Sequence, residues 1–302
     1  MRVLAALLLT AWICPAAIVA DVRAALADDN FQKAESILEQ FRKQNGVTPE
    51  WIEAYSWLGR GALARKRYDQ AETYAAETRR LCMDALKKRN LDDEPHLPIA
   101  LGASIEVQGQ LLAGRGQRSE AVSFLQKELA AWSATSMRAR IQKNIHLLSL
   151  VGQAPPPLET SDWLGPKPQP LASLRGKAVL LFFWAHWCPD CKYQAPILAQ
   201  LRDRYGSKGL IIVGPTQRYG YMARGEDANP QQEKSYIDRI RMEHYAALAE
   251  MPVPLSEENF KTWGCSSTPT LVLLDRKGLV RMYHPGKMTY EELATPIEEV
   301  LR

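Results

Sequence analysis

Apolar residues recur every three or four positions through the first half of the chain and gather into unbroken runs in the second. Phe31, Ala34, Ile37, Leu38 and Phe41 share one helical face, as do Tyr68, Ala71, Tyr74, Ala75 and Leu81. No alternating stretch interrupts residues 21–150, so this segment is predicted to be all-helical. It closes with a helix over 137–150, apolar at Ile141, Ile145 and Leu148. Gly152 and Pro155-Pro156-Pro157 break the pattern, and residues 151–157 read as a stiff Pro-rich linker. Beyond it, in residues 158–302, a strand is expected near Leu158. Residues 178–184 are apolar without a break, the mark of a strand buried on both faces. A helix over 191–205 and a second buried strand at 210–213 follow, a unit that places its two strands parallel. Runs at 270–274 and 279–283 flank Asp275-Arg276-Lys277-Gly278, a hairpin signal. Thr289 with Glu292 three residues later is a capping box that opens the last helix. The stretch between Val213 and Trp263 is longer than such a sheet needs. Asn229-Pro230 starts a helix there, with Ile237, Ile240, His244, Ala247 and Leu248 on one face, so a central insert is predicted.

The helical half carries a hint of repetition. Leu58-Gly59 followed by Tyr68 and Ala71 sits at the offsets of a tetratricopeptide repeat, whose paired helices set a small residue against a bulky one. Gly109 with Ala121 and Leu125 is a weaker copy, and Phe31, Ala34 and Leu38 are a truncated one, with an insertion over 91–98. The segment resembles divergent tetratricopeptide repeats; an unspecialised helical bundle fits the same spacing. The first twenty residues are a separate object. Arg2 precedes a run that is apolar apart from Thr10, with Pro15 late in it, the pattern of a secretory signal cut after Ala20. Left uncut, the run would serve as an N-terminal membrane anchor, since about 18 residues is the lower limit for spanning. Cys14 follows the bulky Ile13, which argues against lipidation. The chain is expected to be exported, to a periplasmic or other extracytoplasmic site. In 302 residues, 46% are apolar and 24% charged, which excludes disordered and multi-span membrane classes. The net charge of +4 is spread evenly, with no basic stripe, so no nucleic-acid partner is expected.

Export gives the cysteines their meaning. Without Cys14 four remain, too few for a disulfide scaffold in so long a chain. Two of them form Cys188-Pro189-Asp190-Cys191, placed where the apolar strand gives way to a helix. A thiolate, not a thiol, attacks a disulfide. A cysteine at the first turn of a helix faces unpaired N–H groups and the positive end of the helix dipole, which favour its thiolate. A second cysteine three residues on lies on the same face, close enough to bridge. Cys188 is therefore read as the exposed nucleophile and Cys191 as the buried resolving thiol, with Trp187 shielding the sulfur edge from water. Zinc would need a second ligand pair, which is lacking, and haem attachment would need His where Lys192 stands. A peroxidase would want Thr and Pro where Ala185 and Leu181 stand. A purely structural disulfide is the plain alternative. No metal or cofactor is expected.

The run 182–191 resembles the active site of the thioredoxin superfamily. With the lead-in Leu174-Arg175-Gly176-Lys177 and the Pro-rich segment before it, the second half is most similar to the TlpA-like extracytoplasmic thiol–disulfide oxidoreductases. Pro196 matches the family's helix-kinking proline, Thr268-Pro269 its cis-proline, and Gly286 follows the hairpin as the family's glycine does. The resemblance implies an all-α domain followed by an α/β thioredoxin-like fold, with substrate positioned by Trp187, Thr268 and Pro269. It implies protein substrates with cysteine pairs or disulfides, an upstream membrane thiol reductant and a protein partner for the helical half. Phe182 stands where relatives often carry a buried acid; a replacement is to be sought among the acids of 214–264. His186 reads as a surface histidine, the alternative being an aid to thiolate formation; Cys82 and Cys265 read as packed apolar residues, the alternatives being a third redox thiol at Cys265 or a bridge between the two. Asp190, a carboxylate between the cysteines, disfavours the thiolate and so points to a reductase rather than a strong oxidant. A scaffold whose helical half docks a partner is the competing reading.

Overall fold

A computed structural model describes residues 17–302, which divide into two compact units, one running through Gly116 and the other Gln117–Arg302. The first is all-helical: α1 (Ala17–Ala27), α2 (Phe31–Asn45), α3 (Pro49–Ala64), α4 (Tyr68–Leu86) and α5 (Leu97–Gly114). Starts follow local chemistry. The Asn30 side chain accepts from the Lys33 N–H at 2.9 Å, and Thr48 caps α3 ahead of Pro49. Gly59 on α3 faces α4, where an added Cβ would make ordinary contact with that of Tyr74 at 3.5 Å. Ala62, Ala71, Ala75, Val107 and Leu111 fill the centre of α3, α4 and α5. The signal-like stretch 1–20 overlaps α1, which begins at Ala17 and buries Ile18 and Val22. The position after Ala20 thus falls within a packed helix. Arg2, Thr10, Cys14 and Pro15 lie outside the described residues.

The second unit opens with α6 (Arg118–Ala131) and α7 (Arg138–Ser149) and continues into an α/β sandwich. Its strands are β1 (Trp163–Leu164), β2 (Ala178–Phe183), β3 (Leu210–Val213), β4 (Val253–Pro254), β5 (Thr270–Leu274) and β6 (Val280–Pro285). Its remaining helices are α8 (Pro189–Tyr205), α9 (Pro230–His244), α10 (Glu257–Thr262) and α11 (Tyr290–Leu301). The main sheet runs β3-β2-β5-β6, with β2 and β3 parallel and β5 and β6 antiparallel to their neighbours. Every residue of β2 is buried, as its unbroken apolar run requires. Leu180 and Phe182 face a core with Leu198 of α8, Ile237 of α9 and Ile297 of α11. Val179, Leu181 and Phe183 face the other, with Phe260 of α10, Trp263 and Leu150.

The expected strand near Leu158 is absent; β1 forms five residues later, paired to β4 at Trp163↔Pro254. The prolines leave few N–H groups for a ladder, and side chains take over. Trp263 donates to the Pro157 carbonyl at 3.0 Å, and Asn259 bonds both the N–H and the carbonyl of Glu159. Residues 151–157 are therefore tied down, Gly152 donating to Val280 at 2.7 Å and Val280 to Gln153 at 3.0 Å. Helix α7 is seated just as firmly. Arg138 pairs bidentately with Glu258 of α10 at 2.6 and 3.0 Å, and His146 Nε2 meets the Thr262 carbonyl at 3.0 Å. Gly264, at φ +64°, packs so closely that an added Cβ would fall 2.4 Å from the backbone nitrogen of Lys143.

Candidate active site

Strand β2 ends in a tight turn at Ala185, whose carbonyl accepts the Cys188 N–H at 3.1 Å. Cys188 has extended backbone (φ −78°, ψ 113°) and occupies the N-cap of α8, with Pro189 as first helical residue. Its sulfur accepts the backbone N–H of Cys191 at 3.0 Å. The two cysteines are joined in a disulfide, their Cα atoms 5.3 Å apart on one face of the first turn. The Thr268–Pro269 peptide is cis, and the Thr268 carbonyl oxygen stands 3.5 Å from the Cys188 sulfur. Gly286 donates to the Pro269 carbonyl at 2.8 Å, tying the loop to the end of β6. The Thr268 carbonyl, next to Pro269, thus stands beside the sulfur that the sequence singles out. One expectation fails: Cys188 is not exposed. It is 2% exposed against 0% for Cys191, while Trp187 beside it is 48% exposed. The overlying Thr268 carbonyl and the turn from Ala185 cover it.

His186 also departs from expectation. Far from being a surface residue, it is buried, its ring edge-on to Tyr219, Tyr221 and Tyr236 at centroid distances of 5.2–5.5 Å. Its Nε2 stands 3.5 Å from Glu233 Oε1, longer than an ordinary hydrogen bond. Burial pushes the His186 pKa below its ordinary value; the Glu233 carboxylate opposes that, and Lys192 adds to it. Glu233 is the one acid of the insert buried beside the redox turn, held by the N–H groups of Tyr219 and Gly220. Helical spacing carried that signal, since Glu233, Ile237 and Ile240 stand four and three residues apart on one face of α9. Phe182 is buried with Tyr245 6.1 Å away and offers no proton site.

Gln194, which sequence reasoning missed, is wholly buried one turn after Cys191. Its Oε1 accepts from the Met288 N–H at 2.8 Å while its Nε2 is unsatisfied. Asp190 pairs with Lys287 at 2.7 Å, both side chains about half exposed, and the carboxylate holds the lysine pKa above its ordinary value. Cys82 and Cys265 are buried free thiols, and burial pushes the first up to about 12 and the second well above its ordinary value. Both are buried and unbridged. Among the described residues no group of three or more His, Cys, Asp or Glu is placed to hold a metal ion, and no helix is long and apolar enough to cross a membrane.

Residues 170–301 match the family described as a thioredoxin-like domain. Thiol-disulfide oxidoreductase ResA of Bacillus thuringiensis subsp. konkukian is 26% identical over 150 residues, 50% of this chain and 78% of that protein. Thioredoxin-like protein YneN of Bacillus subtilis is 26% identical over 149 residues, 49% of this chain and 78% of its own length. Among solved structures, a thiol:disulfide interchange protein of the thioredoxin family from Chlorobium tepidum TLS is 22% identical. The match covers 50% of this chain and 97% of that one, with a TM-score of 0.38.

Proposed function

The second half of this chain is a thioredoxin-like domain, and from that premise we propose that the protein is an exported thiol–disulfide oxidoreductase that reduces protein disulfides. The observation that carries the reading is the Cys188–Cys191 disulfide capping α8. In the dithiol state the Cys191 N–H and the positive helix end face the Cys188 sulfur and favour its thiolate. That thiolate attacks one sulfur of a substrate disulfide; a bond forms to Cys188 and the other substrate sulfur leaves as a thiolate. Cys191 gives up its proton and attacks the Cys188 sulfur, which releases the second substrate thiol and closes the Cys188–Cys191 disulfide. Two electrons pass from enzyme to substrate, and an external dithiol, in the cell a membrane thiol reductant, restores the enzyme. Trp187 and the Thr268–Pro269 loop position the incoming segment.

Direction and place belong to the same proposal. Asp190 beside the thiolate makes the dithiol form the better donor, so the couple is expected to be more reducing than about −150 mV. The apolar N-terminal run supports work outside the cytoplasm, and the packing of Ala62, Ala71 and Ala75 with Tyr68 and Tyr74 supports a tetratricopeptide-like helical half that docks a partner. Insulin reduction by the full chain with dithiothreitol tests the chemistry. Precipitation of the insulin B chain well above the dithiothreitol background is expected. A rate equal to background leaves a helical scaffold as the better account.

A further inference from the structure

Beside the redox disulfide lies a groove of about 310 Å³, wholly within the second unit. Trp187, Tyr219 and Phe260 line its aromatic side, and the 265–268 loop runs along one edge. Thr135, Ser136, Arg138 and Ala139, from the turn between α6 and α7 and the start of α7, also line it. That turn lies ahead of residues 170–301, so it is no part of the stretch matched to the thioredoxin-like family. We propose that residues 135–139 form the outer wall of the substrate cleft and make it selective for extended cysteine-bearing segments with uncharged, aliphatic or aromatic flanks. The inference rests on the oxidoreductase reading above and deepens it.

Three observations carry the wall. First, it is built in place: Thr135 bonds the Trp132 carbonyl through its hydroxyl at 2.8 Å, Met137 is 2% exposed, and the Arg138–Glu258 pair clamps the start of α7. A rigid wall selects, because no ordering cost is met on binding. Second, the groove meets the chemistry, since Trp187 and Thr268 line it and the Thr268 carbonyl stands 3.5 Å from the Cys188 sulfur. An occupant must therefore present a sulfur at that end. Third, its ionic groups are already matched. Arg138 is taken by Glu258 and Lys261 by Glu257 at 2.7 Å, and the rest of the lining is aromatic or uncharged. A charged flank would lose water without gaining a counter-ion, whereas an apolar one gains contact area.

The test uses the reduced full-length chain and two kinds of substrate. One is hydroxyethyl disulfide, too small to reach the wall. The other is a set of short peptides whose single cysteine is held as a mixed disulfide with thionitrobenzoate, flanked by Leu and Phe, by Asp, or by Lys. The Leu/Phe peptide is expected to react about tenfold or more faster in kcat/KM than either charged peptide. Ser136→Trp, which narrows the cleft, is expected to lower the ratio of peptide to hydroxyethyl-disulfide rates about tenfold, and Ala139→Phe serves should the first variant not fold. Equal rates for charged and apolar peptides, or a ratio unmoved by both variants, overturn the inference. Failure of the unaltered chain to reduce hydroxyethyl disulfide at all overturns the oxidoreductase reading and this inference with it.

Discussion

The behaviour of Cys188 depends on what surrounds it within one turn. Lys287 is joined to Asp190 by a half-exposed pair, so the carboxylate that sits between the cysteines is partly offset. Lys287→Ala frees that charge beside Cys188 and is expected to raise the thiol pKa slightly and slow alkylation of the reduced protein by iodoacetamide near neutral pH. Added salt should shrink the effect, because both groups are solvated. His186 and His146 give a second prediction. Burial holds both below their ordinary pKa of 6.5, so the unfolded chain takes up their protons first. Stability is then full above about pH 6.5 and falls as pH drops toward the folded values, by at most about 1.4 kcal/mol per pH unit per histidine. His186→Phe, which suits the tyrosine cage, should flatten the acid limb of a plot of Tm against pH. Glu233→Gln removes the carboxylate that supports His186 protonation and should steepen it. An acid limb unchanged in both variants contradicts the buried pair. At this scale the sequence was most informative where spacing and chemistry coincide, as at Cys188 and Cys191, whereas Pro269 was marked by the family resemblance alone. It was least informative for His186, because one histidine between Ala185 and Trp187 says nothing about the three tyrosines that the insert folds over it.

Elements were legible in proportion to their apolar runs. Strands β2, β3 and β5, the start of α9 and the capping box of α11 appear where periodicity and caps place them. Strand β1 does not, because side-chain bonds from Asn259 and Trp263 replace the ladder around Pro157 and shift pairing to Trp163. What helical spacing leaves out is where α7 docks. It packs on α10 and the 262–264 turn through His146 and Gly264, a seam visible only once the sheet is formed. Gly264→Ala places a Cβ against the Lys143 backbone at a left-handed φ and is expected to cost about 2 kcal/mol or more, read by urea unfolding. A loss near zero would show the seam to be loose. The same seam decides where the chain is best cut. A fragment of residues 117–302 keeps α6 and α7 and should fold and reduce a generic disulfide. One of residues 158–302 uncovers the face that Leu150 and His146 pack, and is expected to be less stable or to aggregate. Equal stability of the two fragments, by thermal melting, contradicts this placement of α7.

On the scale of the whole molecule, two compact units share one chain, and the Cys188–Cys191 disulfide lies in the second. The order of an all-α half before an α/β half follows from the switch between helical spacing and unbroken apolar runs, and the +4 charge adds little because it is spread. The helical unit is the part whose task the sequence leaves most open, since packing of small against bulky residues serves a bundle and a repeat array alike. The central claim concerns the other unit: Cys188 attacks and Cys191 resolves. In Cys191→Ala the Cys188 thiolate still attacks but nothing releases the product, so a mixed disulfide accumulates. The decisive measurement is mass spectrometry of reductant-sensitive adducts on the Cys191→Ala and Cys188→Ala variants, each produced in its native host. The account predicts protein adducts on Cys191→Ala and none on Cys188→Ala. Equal trapping by both variants contradicts the assignment of the nucleophile, and no trapping by either, while both remain folded, contradicts the oxidoreductase reading itself.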